Sequence, residues 1–244
     1  MEIIFTKKPR LKNPILIATW PGMGMLARLS GDYLIKQLNA KQFAEISSPS
    51  NDIYFKDGLG EVTNYRHRFY YAHSEQRDLI ICVGELQPQT IKEINELANQ
   101  VLDVAKEFGA ERVYCFAAVP NPHDVMPHVF GVVNQPELAD FLKGKGIKLV
   151  EGDGRITGLN GLLIGIAKQR GIEGICLLGE IRYLDIPQPR SVQAVLNKLA
   201  KILDIRLDFT ELEHQAEVMD QQLEEIKERR TPNVYKPKEP RYIS

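Results

Sequence analysis

No apolar run in this chain approaches the roughly 18 residues that span a bilayer, and Met1-Glu2-Ile3-Ile4-Phe5-Thr6-Lys7-Lys8 has neither a long apolar core nor a cleavage site. A membrane partner is therefore not expected, and the predicted compartment is the cytoplasm. Charge of one sign is lacking too. The 31 Lys and Arg against 32 Asp and Glu leave a formal net charge of −1, with no bulk field to attract nucleic acid. Cysteine is scarce. Cys82, Cys115 and Cys176 each fall inside a strand-like run, which suits inert core thiols and argues against a disulfide framework or a zinc cage. A G-x-S-x-G nucleophile turn is absent, with Ser30-Gly31 inside the first predicted helix. So is a phosphate loop ending in Gly-Lys-Ser/Thr, since Gly144-Lys145-Gly146 follows a helix and not a strand. There is no internal repeat and no low-complexity segment.

What is present is enough for a full core: 244 residues, 43% of them hydrophobic. Ile15-Leu16-Ile17-Ala18-Thr19 is an apolar strand that breaks at Trp20-Pro21-Gly22-Met23-Gly24 and runs into a helical pattern from Met25 to Leu38. A strand, a glycine turn and a helix open an α/β sheet. Lys41 to Ser48 reads as a second strand. Between Ile53 and His73, short β-rich runs separated by Asp57-Gly58, Gly60 and Asn64 read as hairpin or meander strands, so the sheet is mixed. Leu79 to Val83, Glu111 to Val119 and Glu173 to Glu180 are further buried strands, with a short one at Ile147 to Val150. Helices are predicted from Pro88 to Gly109, over Gln135 to Gly144, from Leu159 to Arg170 and over Ser191 to Leu203.

Three groups carry candidate chemistry. Gly22-Met23-Gly24-Met25-Leu26-Ala27 fits G-x-G-x-x-A, which makes Gly22 and Gly24 a candidate anion site, with Glu45 placed 23 residues beyond Gly22 as an acidic ribose ligand. Against a dinucleotide site, Trp20-Pro21 intervene before the first glycine, and the chain after Ser48 enters β-rich runs in place of a second crossover helix. The alternative is a tight turn with close backbone packing. His123, Asp124 and His128 sit in a proline-stiffened loop after a strand, but their spacing is not that of a helical metal pair, and no metal is expected. Glu85 and Glu180 follow strand ends, where an acid/base pair can meet across a cleft. No cofactor is predicted.

The carboxyl-terminal part reads separately. Ile205, Phe209, Leu212, Ala216, Met219, Leu223 and Ile226 recur at spacings of four and three, with Glu and Asp between them. Such a stripe is either an intersubunit seam, with Leu212, Met219, Leu223 and Ile226 as its interface, or a helix laid on its own domain. From Thr231 the composition turns to Pro and Lys, which suits a mobile tail. The expected division is thus a body over 1–207, an amphipathic helix over 208–230 and a tail over 231–244.

The order of motifs resembles the proteasome assembly chaperone family, with its archaeal and bacterial relatives of the eukaryotic second chaperone subunit. The residues that carry this are Pro14-Ile15-Leu16-Ile17 with Trp20-Pro21-Gly22-Met23-Gly24, then Ile156-Thr157-Gly158-Leu159-Asn160-Gly161-Leu162-Leu163. Gly171-Ile172-Glu173-Gly174, Leu177-Leu178-Gly179-Glu180 and Pro187 complete the set. The resemblance implies a three-layer α/β/α sandwich of the phosphorylase/hydrolase-like kind with a mixed, mostly parallel sheet, and no established catalytic activity. It also implies homo-oligomers or pairing with a paralogous chain, and docking on proteasome core α subunits through a terminal hydrophobic-Tyr-any motif. The sequence here ends Arg241-Tyr242-Ile243-Ser244, with tyrosine one place further from the end, so Tyr242, Ile243 and Ser244 are the candidate docking residues. A nucleotide- or nucleoside-binding enzyme of the same fold, with Gly22 and Gly24 at an anion site and Glu180, Glu85 or His123 as acid/base, stays open as the alternative.

Overall fold

In the computed structural model, which describes residues 1–121 and 126–230, strands and helices alternate along most of the chain. The elements are β1 (Glu2–Phe5), β2 (Ile15–Thr19), α1 (Leu26–Gln37), β3 (Lys41–Lys56), β4 (Leu59–Ala72), β5 (Leu79–Gly84), α2 (Ile91–Glu107) and β6 (Arg112–Pro120). They continue with β7 (Val129–Val133), α3 (Glu137–Gly144), β8 (Lys148–Leu149), α4 (Leu159–Gln169), β9 (Glu173–Ile181), α5 (Pro189–Leu203) and α6 (Thr210–Arg230). The strands form one nine-stranded sheet in the order β1-β3-β4-β5-β2-β6-β9-β7-β8.

Strands that are apolar on both faces take the centre, because only there are both faces covered. β5, β2, β6 and β9 pair in parallel. Antiparallel pairing takes over on both flanks, β1-β3-β4-β5 on one side and β9-β7 on the other, and β8 returns parallel to β7. Alternate residues of each central strand then point to opposite layers. Leu16, Ala18, Ile80, Cys82, Val113, Cys115, Cys176 and Leu178 meet the buried faces of α2 and α4. Ile15, Ile17, Leu79, Ile81, Tyr114, Phe116, Ile175 and Leu177 meet α1, α3 and α5. This is the three-layer sandwich with a mixed sheet that the resemblance implied. Among the described residues no helix is long and apolar enough to cross a membrane.

The sequence scattered the cysteines; the register gathers them. Cys82 and Cys115 both face Ala18 of β2, and Cys115 faces Cys176, so the thiols make a row beneath α2 and α4. All three are free and buried. Burial pushes the Cys176 thiol up to about 12 and raises Cys82 and Cys115 as well, which keeps them as protonated apolar side chains.

The stretch read as separate short strands is one long hairpin. β3 and β4 pair from Lys41 to Lys56 across a turn at Asp57-Gly58, both in the left-handed region at φ 52° and 81°. Pro49 sits inside β3 because the register shifts between Pro49 and Ile53, and at such an irregularity a missing N–H is tolerated. Helix α2 also starts later than Pro88: Thr90 caps it, accepting from the Glu93 N–H while Glu93 reaches back, a complete capping box.

A candidate functional site at the carboxyl ends of the parallel strands

Open α/β sheets hold ligands in the crevice beyond the carboxyl ends of their strands, where neighbouring connections leave on opposite faces. Here β2 leads to α1 on one face and β5 leads to α2 on the other, so the crevice lies at Thr19–Trp20 and Val83–Glu85. The glycine turn opens there. Gly22 is extended at φ −163°, whereas Gly24 and Met25 are left-handed at φ 61° and 52°. The Gly24 N–H donates to the Leu184 carbonyl at 2.6 Å, Met25 N–H to Gly22 and Leu26 N–H to Met23. A Cβ on Gly24 would lie 2.9 Å from Gln188 Cγ. An anion at Gly22 and Gly24 would have to displace these internal acceptors and the 182–188 connection above them.

The crevice itself is filled by Trp20, which is fully buried. Its indole packs directly on Gly84: a Cβ there would come within 2.1 Å of indole Cδ1 and Nε1. Asn160 at the start of α4 holds the Trp20 backbone from both sides, accepting from its N–H at 3.0 Å and donating to its carbonyl at 3.1 Å. Gln87 does the same one step on, donating to the Pro21 carbonyl at 2.6 Å and accepting from the Leu159 N–H at 2.7 Å. Indole Nε1–H, which can only donate, points at His67 Nδ1 at 3.1 Å, while His67 Nε2 meets Ser48 Oγ at 2.9 Å.

That contact fixes the tautomer. Nδ1 accepts from the indole, so the proton of neutral His67 is on Nε2 and donates to Ser48 Oγ. A base for Ser48 needs the opposite arrangement. Burial lowers the His67 pKa to about 4, against a smaller opposing pull from Glu85, so the ring is neutral at physiological pH. Ser48 and His67 are thus a structural pair, not a nucleophile and its base. Sequence reasoning did not find this group, because Ser48, His67 and Gly84 lie on three different strands and Trp20 just beyond a fourth.

The acidic candidates do not meet. β5 and β9 are three strands apart in the sheet, roughly 14 Å at about 4.8 Å per strand. Glu85 accepts from the Arg66 N–H and pairs with Arg68 at 2.7 Å. Partial burial opposes ionisation there, but these contacts outweigh it and hold Glu85 below the usual carboxylate range. Glu180 is bound elsewhere, by the Asn121 amide at 3.0 Å and by His128 N–H and Nδ1, each at 2.9 Å. Burial again pushes its pKa up, and the same hydrogen bonds bring it below normal. Both carboxylates are ionised, so neither is the protonated acid that a paired mechanism needs. The cleft beside Glu180 holds about 70 Å³, room for a few waters. Glu45 pairs with Arg66 at 2.7 Å, away from the glycine turn. His123 and Asp124 lie outside the described residues, and among the described residues no group of three or more His, Cys, Asp or Glu has the arrangement to hold a metal ion.

A family model described as the PAC2 family matches residues 16–227. The chain belongs to the PAC2 family. An uncharacterized protein of Methanocaldococcus jannaschii is 32% identical over 237 residues, 93% of this chain and 90% of that one. The Pyrococcus furiosus protein PbaB, described as an archaeal proteasome activator, has a structure similar to this one at a TM-score of 0.83. It is 31% identical, with 93% of this chain and 98% of that chain covered. PbaA of the same organism, described as an archaeal homolog of proteasome-assembly chaperone, gives 0.72 at 25% identity, covering 93% and 97%.

In this PAC2 chain the residues that carry the resemblance are packing residues. Trp20 is gripped by Asn160 of the second motif, and a Cβ on Gly161 would come 2.4 Å from Ile156 Cγ2. A Cβ on Gly179 of the third motif would lie 2.7 Å from Val195 and 2.8 Å from Leu26. The carboxyl-terminal stripe divides. Leu212 and Ala216 are buried in this chain's own core, and Tyr33 stacks on Phe209 at 6.4 Å. Met219 and Leu223 are half-buried beside Arg190, which pairs with Asp220. The side chain of Ile226, and Tyr242, Ile243 and Ser244 entirely, lie outside the described residues.

Proposed function

We propose that this PAC2 chain is a non-enzymatic, cytoplasmic protein-binding factor that acts on the proteasome, as a homo-oligomer or with a paralogous chain. Its partner is a core-particle α subunit, engaged by the segment ending Tyr242-Ile243-Ser244. The observation that carries this reading is the closed crevice: Trp20, His67, Gln87 and Asn160 fill the place where a small substrate of an α/β enzyme would lie. The similarity to PbaB and PbaA of Pyrococcus furiosus supports the choice of partner. Met219, Leu223 and Ile226 remain the part of the stripe offered to a second subunit, Leu212 being committed to its own core.

The test is retention of purified core-particle α subunits by the immobilised intact chain and by a chain cut after Arg230. Retention by the intact chain alone supports the reading. Equal retention by both removes the tail from the mechanism, and no retention by either rejects the partner.

A further inference from the structure

Two exposed surfaces of this chain are chemically marked, and they differ. The arm, the part of the β3–β4 hairpin beyond Ser48 and before Arg66, splits its apolar area between two faces. Ile53, Phe55 and Val62 lie on one, and Tyr54 and Leu59 share the other with Lys56 and Glu61. The second surface concentrates charge of one sign. Between α5 and the β7–β8 end of the sheet a groove of about 610 Å³ opens to solvent. Arg190, Ala194, Lys198 and Lys201 recur along it at spacings of four, four and three, which puts them on one face of α5, and Lys148 stands on the β8 side. Among the described residues no Asp or Glu lines it. Val129 is buried and Ala194 half-buried, so they form an apolar floor, while Lys148 and Lys201 are exposed at the rim.

These lysines are not consumed inside the chain. The ammonium groups of Lys148 and Lys201 have no hydrogen-bond or ion-pair partner among the described residues, and Lys198 Nζ reaches only the Gly146 carbonyl, at 3.1 Å. The chain itself shows what this face of α5 accepts. At its start Arg190 pairs with Asp220 of α6, and the Gln193 amide donates to Glu213 Oε1 at 2.8 Å. Carboxylates of α6 thus occupy the first part of the row, and the lysines continue it with none.

We infer that this groove binds an acidic, extended peptide segment of a protein partner, its carboxylates on Lys148, Lys198 and Lys201 and its apolar side chains on Val129 and Ala194. In an extended chain alternate residues point opposite ways, so one face can meet the floor while the other stays at the cationic rim. Length agrees. From Arg190 to Lys201 the helix rises roughly 16 Å at 1.5 Å per residue, which about five residues of extended chain cover. A lone small anion would leave most of that row unused. A nucleic-acid strand would need successive exposed rings to stack on, and the lining offers half-buried Phe130 and a His128 already bonded to Glu180. The chain's own tail does not suit either, since Lys236, Lys238 and Arg241 outnumber Glu239 there. The groove does not involve Tyr242-Ile243-Ser244, and the inference does not depend on what that segment binds.

Fluorescence anisotropy with the full-length chain and a labelled, end-blocked peptide that alternates glutamate with leucine tests it. Saturable binding that weakens as salt rises is expected. Peptides with glutamine for glutamate, or serine for leucine, should bind at least about fivefold more weakly. Lys148→Glu and Lys201→Glu are at exposed positions, and circular dichroism checks that both fold. Each should weaken the acidic peptide about fivefold, and the two together should abolish detectable binding. Lys106→Glu, an equal charge change on α2 in the opposite layer, should leave it unaltered. No saturable binding, full binding by both groove variants, an equal loss in Lys106→Glu, or equal binding of the glutamine or serine peptide overturns the proposal. So does an oligonucleotide that displaces the peptide at a similar concentration, which makes the groove a nucleic-acid site. A fall in the protein's own mass by light scattering on adding peptide overturns it too, because a second copy is then the occupant.

Discussion

The strand-end crevice and the β3–β4 arm use aromatic side chains in opposite ways. In the crevice Trp20 is fully buried, its one polar atom satisfied by His67 and its backbone gripped by Asn160. On the arm Tyr54 and Phe55 are 58% and 70% exposed, in the distal segments of β3 and β4, where the ladders to β1 and β5 have ended. Where the fold class would place a ligand, the chain has spent its best packing residue on closure; where a monomer gains nothing from apolar mass, it has built some.

The contrast breaks most sharply at Trp20. Trp20→Ala should lower stability by about 4 kcal/mol, the range for large aromatic truncations in a core, and the thermal midpoint by roughly 8–15 °C. Phe55→Ser on the arm should change the stability of the isolated subunit by less than about 0.5 kcal/mol, because the side chain has little to lose. Denaturant titration of both variants checks the pair. Equal losses would mean that the arm packs on its own body after all.

The next effect concerns His67. Its folded pKa of about 4 lies below the ordinary 6.5, so as pH falls the unfolded chain takes up the proton first. The stability associated with neutral His67 is fully present above about pH 6.5 and is lost as pH falls toward 4, up to about 3 kcal/mol in all. His67→Asn leaves an acceptor for the indole and removes the titration, so its stability profile between pH 4 and 7 should be flatter than that of the parent.

A smaller contrast lies within α6. Leu212→Lys puts a charge into the core that α6 shares with α5 and should cost several kcal/mol, whereas Leu223→Lys, half-buried, should cost about 1 kcal/mol or less. Chemical denaturation separates these two. A mass change in the Leu223→Lys chain at unaltered stability assigns the distal stripe to a subunit contact.

The central strands were legible because burial on both faces leaves a continuous apolar run, as in Leu79–Val83. The flanking helices were legible from their one-sided stripes. The long hairpin was not, since Pro49, Gly60 and Asn64 each signal a break, and only pairing between strands shows that β3 and β4 continue through them. The α6 stripe was visible as a seam, but periodicity does not say which surface covers it; tertiary contact decides that Leu212 faces its own core. The closure of the crevice was invisible for a different reason. Trp20 meets His67 across 47 residues and Asn160 across 140, so the glycine turn could be read from its local pattern while its occupant could not.

A thermal-shift panel of nucleotides, nucleosides and dinucleotides against the full chain reads the closed crevice directly. A ligand that bound there at about 100 times its dissociation constant would add roughly 2.7 kcal/mol, a rise of several degrees. A crevice occupied by Trp20 predicts no shift with any of them. A saturable rise that is lost on Gly24→Ala would contradict the account.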